Sequence, residues 1–265
     1  MPTTIEQLYS DTNNSVFQLT TVVMGSEIGS GSAFLTDKGL LTADHCVELP
    51  HNAQLFVRRG TETLWILTAA EVQARITHQS NKDEHDYALI SLSGAPDIMD
   101  GPLLKLEPVA LPHIGRQVAF LGYPFGTNTL QFSVGYVSSV ETQSGVGIIR
   151  IDGSVNSGNS GGPLLDIASG KLLGIVTRTE TGLIKQQFDQ LLEAFQQDIQ
   201  LLQRVQQGPS RMFISGIDPN QALLATVTSM NILAQNIKRS SNVGIGYAFS
   251  TNHLAELLRL EADTS

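Results

Sequence analysis

Apolar and polar positions alternate in short runs through most of the chain, and a spacing of two along an extended backbone marks half-buried strands. Val16 to Met24, Ser32 to Leu35, Leu40 to Thr42, Gln54 to Arg59, Thr63 to Leu67, Ala70 to His78 and Tyr87 to Leu92 read as strands. Gly25 to Gly31 reads as a turn between the first two, and Gly60 as the tip of a hairpin. Gly94 to Pro112 carries four prolines, Pro96, Pro102, Pro108 and Pro112, and reads as a connection. A second set of strands follows: Gln117 to Tyr123, Gln131 to Val140, Ile148 to Ile151, Leu164 with Leu165, and Leu172 to Thr177. Short strands at this spacing predict an all-β barrel or sandwich. Thr4 to Ser10 predicts a short helix ahead of them.

The period then changes. Ile184, Phe188, Leu191, Phe195, Ile199, Leu202 and Val205 recur at gaps of three and four, which is helical. Gly208-Pro209 stops that helix, and Pro219 opens another through Leu223, Val227, Met230, Leu233 and Ile237. The two predict a helical hairpin inserted before the last strand, Gly244 to Phe249. Ser250 or Thr251 caps a final helix over His253 to Leu260. The apolar helical faces pack on each other, or serve as a surface for a regulatory protein partner over residues 182–240.

Length and composition narrow the classes. A chain of 265 residues can bury a real core in one or two domains. A net charge of −9 excludes the basic stripe that nucleic acid requires and disfavours anionic membranes. No apolar run is long enough to span a bilayer. The polar start, Met1 to Ser15, has no signal-peptide pattern, so a chain beginning at its native residue is expected in the cytoplasm. The single cysteine, Cys46, forbids an intrachain disulfide and suits a reducing compartment; it reads as a small buried hydrophobe. His51, His78, His85, His113 and His253 lack metal-ligand spacing and read as exposed loop residues. No metal or organic cofactor is implied.

Three stretches carry candidate chemistry. Asn156-Ser157-Gly158-Asn159-Ser160-Gly161-Gly162-Pro163-Leu164 sets a serine among glycines, where the backbone can turn tightly and aim free amides at a developing oxyanion. Gly39-Leu40-Leu41-Thr42-Ala43-Asp44-His45-Cys46 sets a histidine just after a strand, and Asp86-Tyr87-Ala88-Leu89-Ile90 an aspartate at the mouth of another. Ser160 reads as a nucleophile, His45 as its general base and then acid, Asp86 as the group that orients the imidazole, and the Gly158 and Ser160 amides as the oxyanion hole. Asp44 is expected to point away from the site. The order His, Asp, Ser is one found on a two-barrel β fold.

With these blocks, and with Gly29-Ser30-Gly31-Ser32-Ala33-Phe34 and Gly244-Ile245-Gly246-Tyr247-Ala248-Phe249, the chain resembles the trypsin-like (chymotrypsin-fold) serine proteases, nearest the bacterial HtrA/Deg-like branch. The resemblance implies two six-stranded β-barrels with the site between them. It divides the chain into an N-terminal segment (1–14), an N-terminal barrel (15–95), a linker (96–112), a C-terminal barrel (113–181 and 241–250), the inserted hairpin (182–240) and a C-terminal helix (251–265). It implies an endopeptidase acting on protein or peptide substrates through an acyl-serine. Its pocket walls would be Ser154 at the base, Ile175, Val176, Thr177 and Arg178 on one side, and Gly244 to Gly246 on the other. With nothing acidic at the base, a small or medium apolar residue is expected there. Asn159 stands where secreted relatives have an aspartate that pairs with a new amino terminus, so activation by loop ordering or a partner is expected instead of propeptide cleavage. No PDZ-like domain follows within the sequence. The competing reading is a catalytically silent protease-fold scaffold that binds a partner.

Overall fold

The computed structural model describes residues 4–81, 84–95, 98, 101–143, 145–177, 183–206, 218–240 and 244–264, with side chains from 190–206 and 218–236 in the long helices. The chain divides into two compact units, Met1–Thr179 with Val243–Ser265, and Glu180–Asn242.

The first unit opens with helix α1 (Ile5–Thr12), whose N-cap Thr4 accepts a hydrogen bond from the Gln7 amide. Its N-terminal half is a seven-stranded sheet of β1 (Val16–Val23), β2 (Ser26–Thr36), β3 (Gly39–Thr42), β4 (Ala53–Arg59), β5 (Glu62–Thr68), β6 (Ile76–Ser80) and β7 (Tyr87–Ile90). They run in the order β5-β4-β1-β2-β3-β7-β6, an open ladder of seven where six strands in a closed barrel are expected. The C-terminal half is a closed six-stranded barrel. Its strands are β8 (Gln117–Gly122), β9 (Gln131–Gln143), β10 (Val146–Asp152), β11 (Pro163–Asp166), β12 (Leu172–Thr177) and β13 (Ile245–Ser250), in the order β10-β13-β12-β11-β8-β9.

Three buried clusters hold the unit together. Phe17, Leu19, Leu35, Leu55, Val57 and Trp65 fill the N-terminal sheet. Val118, Phe120, Ile149, Ile151, Leu164 and Val176 fill the barrel. Between them, Phe34, Leu41, Tyr87 and Leu89 meet Leu121, Tyr123, Leu165 and Ile175, joined by Leu254 of the last helix, α5 (Asn252–Thr264). This middle layer fixes one half of the unit on the other, and the candidate site lies along it.

Two local expectations are corrected. Ala70 to His78 is not one strand: α2 (Ala69–Arg75) precedes β6. Thr68 and Glu71 form a capping box, with Thr68 Oγ1 accepting from the Glu71 amide and the Glu71 carboxylate from the Thr68 amide, which nucleates a helix over good helix formers. The turn after β1 is only Met24-Gly25, both at positive φ, and Gly29 to Gly31 belong to β2. Gly31 serves close packing: a Cβ there would stand 2.6 Å from Cys46 Sγ.

In the second unit, α3 (Leu183–Gln206) packs against α4 (Pro219–Ser240). Leu192, Phe195, Ile199 and Leu202 of α3 are half-buried, as are Leu224, Val227 and Thr228 of α4, with Ala234 buried. The period change thus corresponds to two helices, while the Gly208-Pro209 break lies outside the described residues. No helix among the described residues is long and apolar enough to cross a membrane.

Candidate active site

His45 sits in a 3-10 turn, Asp44–Cys46, immediately after β3. Asp86 precedes β7, the strand paired with β3, so the sheet itself brings the two together. His45 Nδ1 lies 3.0 Å from Asp86 Oδ1 and 2.9 Å from Oδ2, and the His45 amide also donates to Oδ1 at 3.2 Å. With its proton on Nδ1, the ring leaves Nε2 free to accept. Asp86 is buried, and its backbone is held at φ +45, in the left-handed region that costs a non-glycine residue energy. Thr177 Oγ1, from the end of β12, donates to Asp86 Oδ2 at 2.7 Å.

Electrostatics follow from this geometry. Burial pushes the Asp86 carboxyl up, but hydrogen bonds from His45 and Thr177 and the imidazole charge bring it below the ordinary carboxylate range. Burial works against a charged His45 ring, yet the Cys46 sulfur and the Asp86 carboxylate outweigh it and hold the imidazole above its usual range.

Ser160 stands on the loop between β10 and β11, built around glycines that have no room for a side chain. A Cβ on Gly158 (φ +97) would meet Tyr123 O at 2.2 Å; one on Gly161 (φ +86) would meet Ser32 O at 2.1 Å; one on Gly162 would meet Leu121 O at 2.0 Å. Hydrogen bonds pin the loop on both sides. Ser32 donates its amide to Ser160 O at 2.7 Å and its hydroxyl to Gly158 O at 2.6 Å, while Gly161 N–H bonds Val176 O and Val176 N–H bonds Gly162 O, each at 2.8 Å. The Phe125 amide holds Ser157 O at 2.6 Å. In a trans peptide the N–H opposes the C=O, so the Gly158 N–H points away from Phe125. Among the described residues Ser160 Oγ makes no hydrogen bond, so its hydroxyl is unengaged.

The remaining expected site residues separate. Thr177 reaches Asp86. Ile175 and Val176 turn their side chains into the cores, leaving only their backbone for any pocket. Gly246 abuts Val155, where a Cβ would stand 2.4 Å from Val155 Cγ2. Gly244 (φ +75) accepts from the Gly153 amide at 2.9 Å, and Ser154 is exposed beside them. Arg178 lies outside the described residues.

The expectations for Cys46, His78 and His85 change, since each is part-buried. Cys46 is half-exposed, with Sγ 3.5 Å from Ser160 O. Asp44 is buried and accepts from Gln79 Nε2. His85 stacks on His253 at 3.9 Å, and His253 Nδ1 meets Tyr87 OH at 3.2 Å. His78 Nε2 lies 3.1 Å from Glu261 of α5. Sequence reading overlooked Ser32, although its place beside two strand glycines was the available signal.

The sheet, the barrel and a serine loop clamped between them define a trypsin-like β fold. The sequence profile of the trypsin-like peptidase domain matches residues 29–175, more than half of the chain, and the chain belongs to that family. It is 35% identical over 157 residues to "Protease Do-like 2, chloroplastic" of Arabidopsis thaliana, a match spanning 55% of this chain and 23% of the plant protein. It is 24% identical over 188 residues to "Serine protease Do-like HtrA" of Bacillus subtilis, spanning 64% of this chain and 38% of that protein. The chain therefore spans about a quarter to two-fifths of these curated relatives. Among solved structures, "HtrA-type protease AlgW with tripeptide" superposes with a TM-score of 0.48 at 28% identity, covering 64% of this chain and 52% of that one.

Proposed function

We propose that the chain is a serine endopeptidase that cleaves peptide bonds through an acyl-enzyme on Ser160. The observation that supports this reading is the His45–Asp86–Thr177 hydrogen-bonded series, with Cys46, next to His45, reaching Ser160 O at 3.5 Å on a glycine-packed loop. His45 Nε2 takes the Ser160 Oγ proton as the oxygen attacks the substrate carbonyl, and returns it to the departing amine; water then repeats the sequence to release the acyl group. Asp86 keeps the proton on Nδ1 and stabilises the imidazolium. The Gly158 and Ser160 amides receive the oxyanion. The relatives' names as proteases agree with this chemistry.

Asn159 is buried, and a Cβ on Gly122 would stand 2.9 Å from its Oδ1. Control by a protein partner is part of the proposal. Its surface is the outer side of α3 and α4, where Leu201, Leu223, Met230 and Leu233 are each at least half exposed.

Incubation with an alkyl fluorophosphonate tests the assignment. Wild-type protein should be labelled at Ser160, and Ser160→Ala should not. Labelling that persists in Ser160→Ala overturns the nucleophile; an unlabelled wild type favours the silent scaffold.

A further inference from the structure

Asp44 is a carboxylate with 2% of its surface exposed, in the turn that carries His45, and the reaction sequence above gives it no role. A buried carboxylate is costly to keep and calls for a compensating bond. That bond comes from across the sheet: Gln79 Nε2, from β6, donates to Asp44 Oδ1 at 2.5 Å. The placement of Gln79 matters. It pairs with Ala88 in the β6–β7 ribbon, two residues past Asp86. One side-chain hydrogen bond therefore ties the turn bearing His45 to the strand pair bearing Asp86, parallel to the His45–Asp86 contact itself. The neighbouring ribbon is also braced where it must hold Asp86 at positive φ: Asn81 O accepts from the Glu84 and Asp86 amides.

We propose that Asp44 and Gln79 are a positioning pair for the reaction. They lock the His45 turn to the Asp86 ribbon and set a second carboxyl on the residue next to the imidazole. This rests on reading His45 and Asp86 as a working pair. The charged groups around Asp44 are Glu48, Asp86 and His45; burial, with Glu48 and Asp86, pushes its carboxyl above the usual range against the pull of the Gln79 amide and His45, and His45 itself faces Cys46 and Asp86. Asn in place of Asp44 keeps an acceptor for Gln79 and removes the charge, whereas Ala removes both. The lock and the charge are thereby separable.

The experiment is an NMR titration of the full chain with labelled histidine, with His45 assigned by His45→Gln. It follows the His45 Cε1–H midpoint and the low-field Nδ1 proton bound to Asp86. Asp44→Asn should lower the midpoint by about one pH unit, a tenfold loss of proton affinity, and keep the low-field proton. Gln79→Ala and Asp44→Ala should broaden or lose that proton. A purely structural role would lower thermal stability and move neither signal. A midpoint unchanged within about 0.2 units in Asp44→Asn, together with an intact low-field proton in Gln79→Ala, overturns the proposal. If Asp44→Ala does not fold, the other two variants decide. Fluorophosphonate labelling of the same samples tests Ser160 separately, since the titration is read whether or not the serine reacts.

Discussion

Gly158 has Tyr123 O within 2.2 Å of where a Cβ would be, and backbone on that side has nowhere to retreat. Gly158→Ala should therefore displace the loop and remove one oxyanion donor, lowering the fluorophosphonate labelling rate by about a hundredfold or more, comparable to losing such a donor outright. Thermal melting of the same variant checks that the barrel survives. The pH dependence of labelling follows from His45. Attack needs the neutral imidazole, and the ring's affinity for a proton is raised in the folded chain. The acid limb should thus lie above the ordinary imidazole value of about 6.5, and the rate should climb on the alkaline side of neutrality. For stability the two partners act in opposite windows. The raised His45 contributes below about pH 6.5 and loses its contribution as pH rises through its folded value; the lowered Asp86 contributes above about pH 4 and loses it on acidification. Asp86→Asn removes the negative charge and replaces one acceptor oxygen with an NH2 donor that favours the wrong imidazole tautomer, and should reduce labelling by a factor on the order of a thousand or more.

At the level of elements, the turn between β11 and β12 depends on one ion pair. Arg116 Nε and Nη2 meet Asp166 Oδ1 and Oδ2 at 2.6 and 2.7 Å, and Asp166 also caps the Ser169 amide at 3.1 Å. Burial pushes the Asp166 carboxyl up, and Arg116 with Ser169 brings it below its usual range. Removing the guanidinium strands a buried carboxylate. Arg116→Ala should lower the urea unfolding midpoint at neutral pH, and the difference should shrink on acidification as the carboxyl protonates. Strand and helix periods made β1, β3, β4, β8, β12, α3 and α4 legible from sequence alone. The missed helix α2 was signalled by Thr68 and Glu71 at capping-box spacing, but β-branched and aromatic neighbours made the run look extended. Gly29 to Gly31 misled for a related reason, since a glycine needed for close approach and a glycine needed for a turn look alike in one dimension. In the candidate site, the residues proposed for the chemistry, His45, Asp86 and Ser160, stood out because each sits in a distinctive local run. The contacts of Ser32, Thr177 and Asp44 did not, because each reaches across the sheet to a residue far away in sequence.

At the scale of the whole chain, the inserted unit enters and leaves through neighbouring strands. β12 and β13 are antiparallel partners, with Thr177 opposite Tyr247, so a short link can join their ends. Replacing residues 180–242 with a few Gly and Ser residues should leave the first unit folded, with its melting temperature changed by no more than about 3 °C. Circular dichroism melting checks this, and a collapse of the transition would mean that the helices form part of the same cooperative core. Fluorophosphonate labelling of the excised form, compared with the full chain, reads what the helices contribute to control.

The position of β13 has a consequence during synthesis. That strand closes the barrel between β10 and β12, yet it is translated only after the inserted unit. A nascent chain already holding His45, Asp86 and Ser160 keeps two unpaired strand edges while the ribosome adds the inserted unit, on the order of ten seconds at ordinary elongation rates. Thr177, which steadies Asp86, sits at the end of one of those open edges. The barrel that carries the serine loop thus closes only after the inserted unit has been made.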